Sequence, residues 1–97
     1  MNTERTNAYR RVLHTLEELG PSKLQPDEQD RIRYAADSLI FCAELERDDA
    51  ALEALTDIEL LSHALVDSGR WEQATADRLE RDVLECGPPR YEALEAA

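Results

Sequence analysis

Pro26-Asp27-Glu28-Gln29-Asp30-Arg31-Ile32-Arg33-Tyr34-Ala35-Ala36-Asp37-Ser38-Leu39-Ile40-Phe41-Cys42-Ala43-Glu44-Leu45-Glu46-Arg47 decides the fold class. Ile32, Ala35, Ala36, Leu39, Cys42 and Ala43 recur at spacings of three and four, the period of one face of an α-helix. Ile40, Phe41 and Leu45 broaden that face until most of the circumference is apolar. Such a helix belongs at the centre of a bundle. Pro26 has the fixed φ of a first helical position, and Asp27 and Glu28 lie where the helix dipole favours acids. The stretch therefore predicts a central helix over Pro26 to Arg47.

Working outward, Gly20-Pro21 is a helix stop, because Gly takes a left-handed cap cheaply and Pro cannot continue the ladder. Before it, Tyr9, Val12, Leu13, Leu16 and Leu19 form one stripe and predict a helix from Thr3 to Leu19. After Arg47, Asp48 to Leu55 reads as a short helix carrying Ala51, Leu52 and Leu55. Thr56-Asp57-Ile58-Glu59 has the spacing of a capping box, with Leu55 and Leu60 placed as a hydrophobic staple. It predicts a new helix running to Asp67, with Ile58, Leu61, Ala64 and Leu65 inward. Ser68-Gly69 marks a turn. Arg70 to Cys86 is the last main helix, using Trp71, Ala74, Leu79, Val83 and Cys86. Gly87-Pro88-Pro89 ends it, and residues 90–97 read as a tail with one loose helical turn. No stretch alternates long enough for a strand. The expectation is an all-α, single-domain bundle of four to five helices over residues 1–89, followed by the tail.

Leu61-Ser62 to Leu65 and then Gly69-Arg70-Trp71-Glu72-Gln73-Ala74 resembles the turn of a tetratricopeptide hairpin. The resemblance implies two antiparallel helices joined at Gly69. Arg78 and Arg81 stand where that family has a large apolar residue and Ala, and no second copy follows 34 residues away. It therefore implies the hairpin and not a solenoid, which needs several stacked repeats.

Ninety-seven residues, 42% apolar and 34% charged, suffice for one core but not for a core and a deep catalytic cleft. The longest apolar run, Leu39 to Ala43, is far short of the ~20 residues of a membrane span. Met1-Asn2-Thr3-Glu4-Arg5 lacks the apolar region of a signal peptide. The two cysteines fall in helix interiors, so the expected address is cytoplasmic, with reduced thiols.

Chemistry-bearing patterns are sparse. A carboxylate-bridged metal pair needs Glu-x-x-His, but Arg11 precedes His14 by three and Leu60 precedes His63 by three. Glu59, His63 and Asp67 share a face, a spacing more typical of a solvated helix-supporting stripe than of a metal site. Cys42, Cys86, His14 and His63 have no zinc-knuckle spacing, and both cysteines lie on apolar stripes beside acids that disfavour a thiolate. The glycines are isolated turn residues rather than a phosphate cradle. The expectation is a non-enzymatic protein without metal or cofactor.

Charge is the feature with functional content. Acids outnumber bases 22 to 11, a net −11 that repels nucleic acid and anionic membrane. Residues 1–33 hold six of each and are neutral, so the other sixteen acids and five bases carry the whole excess. Between Asp37 and Glu59 eight acids face Arg47 alone. Glu44, Asp48, Asp49, Glu53 and Asp57 are the expected contact with a basic protein surface, with Arg47 fixing local geometry. The expected partner extends to nucleic-acid-binding proteins. In size and composition the chain is similar to small acidic phage-encoded inhibitors of restriction or CRISPR enzymes, which implies mimicry of nucleic acid by carboxylates. The alternative is a homo-oligomeric structural subunit, a dimer closed by Ile40 and Phe41 or near Trp71.

Overall fold

A computed structural model describes residues 3–88. Four helices carry it: α1 (Thr3–Lys23), α2 (Pro26–Ile40), α3 (Asp49–Asp67) and α4 (Gln73–Cys86), with a 3₁₀ turn at Leu45–Arg47 before α3. There is no strand among the described residues. The most extensive pairings are α1 with α4 and α2 with α3. Helix α2 packs against the other three, as its broad apolar face requires, and α4 does the same. No helix among the described residues is long and apolar enough to cross a membrane. The expected tail lies outside the described residues.

Each boundary has a physical cause. Gly20, at φ 67°, breaks the regular ladder of α1, and Pro21 opens one closing turn that carries the helix to Lys23. The Leu24 N–H returns to Gly20 O at 3.1 Å, and its side chain is fully buried. Glu28 then accepts the Gln25 N–H at 2.8 Å, half of a capping box at the start of α2.

Helix α2 stops at Ile40, seven residues before the expected Arg47. In a continued helix Leu45 would point ~240° away from Leu39, off the core face. Ending the helix lets Leu45 turn inward instead, to 5% exposure. Phe41, on the side opposite Leu39, stands 78% exposed, and Ala43 is exposed as well. The carbonyls freed by this early stop are gathered by Arg5, whose Nη2 donates to Leu39 O at 2.8 Å, Ile40 O at 3.0 Å and Cys42 O at 2.8 Å. Its Nε donates to Cys86 O, at the end of α4, at 2.8 Å. One guanidinium from α1 thus closes two helix C-termini, where a cation also suits the dipole.

The two helices expected between Asp48 and Asp67 are one. Asp48 is the true N-cap, its carboxylate accepting the Ala51 N–H at 3.0 Å. Thr56 does not cap: its hydroxyl donates back to Leu52 O at 3.2 Å inside a continuous ladder. Ala51, Ala54, Ile58, Leu61 and Leu65 form one unbroken buried stripe, and nothing near Thr56 interrupts it. Ala64 lies outside that stripe, and Ser62 is inside it.

At the other end of α3, Gly69 sits at φ 81°. The Arg70 N–H reaches Leu65 O and the Gly69 N–H reaches Val66 O, both at 3.0 Å. These are the two bonds of a Schellman motif, and they turn the chain into α4. They also consume Arg70 and Trp71, so α4 begins at Gln73 rather than Arg70. Its core face is Ala76, Leu79, Val83 and Cys86, with Ala74 exposed. The hairpin expected at Gly69 is present.

Gly87 closes α4 against α2. A Cβ there would lie 2.5 Å from Leu39 Cδ1. Gly87→Ala is therefore expected to cost about 1–3 kcal/mol by overpacking, read as a lower urea midpoint at an unchanged m value.

Candidate functional site

Helix α3 is where the predicted acidic residues and the open surface of the bundle meet. Asp48, at its N-cap, spends its carboxylate on the Ala51 N–H. Glu44 takes the Arg47 Nε at 3.2 Å in an exposed pair three residues apart. Asp57 is drawn across to α2, accepting Arg31 Nη2 at 2.6 Å and Nε at 3.0 Å. That pair holds the Asp57 carboxyl below its usual range. Asp49 and Glu53 remain exposed on the outer face, one turn apart. Asp49 and Glu53 thus face solvent without a partner among the ion pairs above, while Glu44, Asp48 and Asp57 are each engaged within the fold.

Elsewhere arginines neutralise carboxylates across helix pairs. Arg11 Nε meets the buried Asp82 at 2.9 Å and its Nη2 meets Glu85 at 3.0 Å, joining α1 to α4. Arg70 Nη2 meets both Glu28 oxygens, at 2.5 and 2.6 Å, joining the α3–α4 turn to α2.

A second feature adjoins the acidic face. Between α3 and α4 runs an open groove of about 680 Å³, flanked by Leu55, Leu60 and Leu84 and by Glu59 and Glu80, with Ser62 at its floor. Leu60 is 65% exposed and Leu84 37%, unusual for leucines on packed helices. Partial burial raises the Glu80 carboxyl above its ordinary range; Glu59 and Asp77 raise it further, and His63 opposes them. The Ser62 hydroxyl is buried without a hydrogen-bond partner.

Because the folded state holds the Glu80 proton more tightly than the unfolded chain does, this residue favours folding at low pH. That contribution is lost as pH rises through the raised value. Glu80→Gln should accordingly raise the melting temperature at pH 7, by about 1–2 °C for so exposed a group. At pH 4 it should change nothing. A lower melting temperature at pH 7 would contradict the repulsion.

The other chemistry-bearing residues are the cysteines and histidines. Cys42 and Cys86 are buried. Burial, then Asp82, pushes the Cys86 thiol up to about 12, and burial with Asp48 raises Cys42, so both thiols are poor nucleophiles at neutral pH. His14 lies beside Glu18 at 3.5 Å and His63 beside Asp67 at 3.2 Å, both exposed helix pairs. No three His, Cys, Asp or Glu among the described residues are placed to hold a metal ion. Of the apolar residues expected at a dimer contact, Ile40 and Trp71 are in the core, at 8% and 5% exposure, and Phe41 is outside it.

Comparison with known protein families, curated proteins and solved structures finds no match to this chain. The class defined here is a four-helix bundle whose third helix carries an acidic face and one wall of a groove. Sequence reading missed that groove, although one signal was visible. Leu60 and Leu84 fall outside the buried stripes of their helices, and leucines off-stripe on two helices of one hairpin mark a shared uncovered flank.

Proposed function

We propose that this chain is a non-enzymatic protein-binding module, presenting the acidic face of α3 to a basic protein partner. The observation that carries the reading is the exposure of Asp49 and Glu53 beside Glu44, at the end of the molecule where the negative charge is concentrated. Carboxylates left in water cost the fold nothing to solvate, and their field steers a basic surface into register. Asp57, whose charge Arg31 meets, adds less to this face.

The test keeps Asp48, since reversing the N-cap would weaken α3 itself. Asp49→Lys with Glu53→Lys should leave the helical circular dichroism intact. It should also weaken binding of an octa-arginine peptide at least tenfold at low salt. Wild-type binding should collapse at 0.5 M NaCl. Unchanged affinity in the double reversal would sink the proposal.

A second reading has its own support. Tyr34 on α2 and Phe41 at its C-cap, seven residues apart, are 60% and 78% exposed, a spacing that puts both on nearly one face. They suit a symmetric dimer of a structural subunit. Light scattering at high micromolar concentration decides it: a dimer that Phe41→Ser dissociates supports this reading, and a monomer removes it.

A further inference from the structure

We infer that the groove between α3 and α4 seats a basic amphipathic helix of the partner, with apolar side chains on Leu60 and Leu84 and a Lys or Arg between Glu59 and Glu80. The inference rests on the basic-partner reading above and gives that partner a shape.

Topology comes first. Helices α1 and α2 cover one side of the α3–α4 hairpin, α1 against α4 and α2 against α3. The opposite side carries the groove, with Leu55 to His63 along one wall and Gln73 to Leu84 along the other. Each wall is two or three helical turns long, so a third helix laid along them would complete a layer as helices in bundles do. On α3, Leu60 lies on nearly the same face as Asp49 and Glu53, at intervals of eleven and seven residues. Acidic face and groove are one continuous surface.

Charge selects among occupants. Glu59, Asp77 and Glu80 outnumber Arg81 around the groove, and His63 there lies 3.2 Å from Asp67. Glu80 is already disfavoured as an anion by its neighbours, and a cation seated there would relieve that repulsion. A second copy of this net −11 chain brings the wrong sign, as do Glu92 and Glu95 near its own C-terminus. A basic segment brings the right one.

The third observation is independent of charge. Ser62 is 2% exposed and its Oγ has no hydrogen-bond partner. Buried hydroxyls are nearly always bonded, because an orphaned one loses its water without replacement. This one belongs to a residue that lines the groove.

The experiment titrates the full chain with a 17-residue Leu/Lys peptide, its leucines at helical i, i+3, i+4, i+7 spacing. A scrambled peptide of identical composition is the control. The amphipathic peptide should bind at least tenfold tighter than the scramble. Leu60→Asp and Glu80→Lys should each remove that advantage with the circular dichroism unchanged, Leu60 being 65% exposed and Glu80 partly so. Equal binding of the two peptides, lost only in Asp49→Lys/Glu53→Lys, would overturn the groove and leave the acidic face standing. Binding of neither peptide would overturn both readings. Contacts in the free protein from residues 89–97 to the Leu60 and Leu84 methyls, or a dimer that Leu60→Asp dissociates, would name a different occupant and overturn the inference.

Discussion

Replacing Arg5 by methionine is expected to lower the unfolding free energy by about 3 kcal/mol, in line with buried hydrogen bonds to a charged donor. The reason is geometric. The guanidinium bonds the carbonyls of Leu39, Ile40, Cys42 and Cys86, so its loss removes a donor from the ends of α2 and α4 together, leaving Leu39 O with the Cys42 N–H. Methionine keeps an apolar stem reaching to the position of Nε and removes every donor, which separates the hydrogen bonds from the packing of the stem. Arg5→Lys should recover only part of the loss, because an ammonium cannot address diverging carbonyls as a planar fork does. Urea denaturation followed at 222 nm measures both. A methionine variant within 0.5 kcal/mol of wild type, the usual range for inconsequential surface changes, would show that water closes these termini equally well.

Trp71→Ala is expected to be the more damaging change, at about 4 kcal/mol, the range for deleting a buried aromatic. Trp71 is 5% exposed, in the turn that sets α3 against α4. Its indole N–H donates to Lys23 O at 3.0 Å, pinning that turn to the end of α1. Trp71→Phe keeps most of the volume and loses the bond, so it should cost about 1–2 kcal/mol. The pair of variants separates packing from hydrogen bonding. Equal losses in both would place the whole effect in the bond. Because Trp71 fixes the hairpin, the phenylalanine variant should also weaken groove binding of the Leu/Lys peptide if the groove is the site.

These two residues show where sequence reading succeeds and where it runs short. The i, i+3, i+4 stripes on α1, α2 and α4 place Val12, Leu16, Ile32, Leu39, Leu79 and Val83 in the core, where the structure has them. Periodicity is a local property and can be read locally. The end of α2 is a different matter. No Gly or Pro stands there, and the carbonyls are closed by Arg5, 34 residues earlier. A stop made by a distant guanidinium leaves no local mark. Thr56 to Glu59 errs in the opposite direction: the cap spacing is present, but the continuous apolar stripe from Ala51 to Leu65 outweighs it. The acidic corner is legible as a region because charge is additive along the sequence. Which carboxylates are committed is not, since Arg31 reaches Asp57 from another helix. The groove depends on how two helices splay, which no one-dimensional pattern records.

The most direct test of the central claim, that α3 is a recognition surface for a basic protein, is amide chemical-shift mapping. The ¹⁵N-labelled full chain is titrated with the Leu/Lys peptide at low salt. The account predicts perturbations along the outer face of α3 from Asp49 to His63 and on α4 from Gln73 to Leu84, all suppressed at 0.5 M NaCl. Perturbations centred on Tyr34 and Phe41, or spread evenly over the bundle, would contradict it.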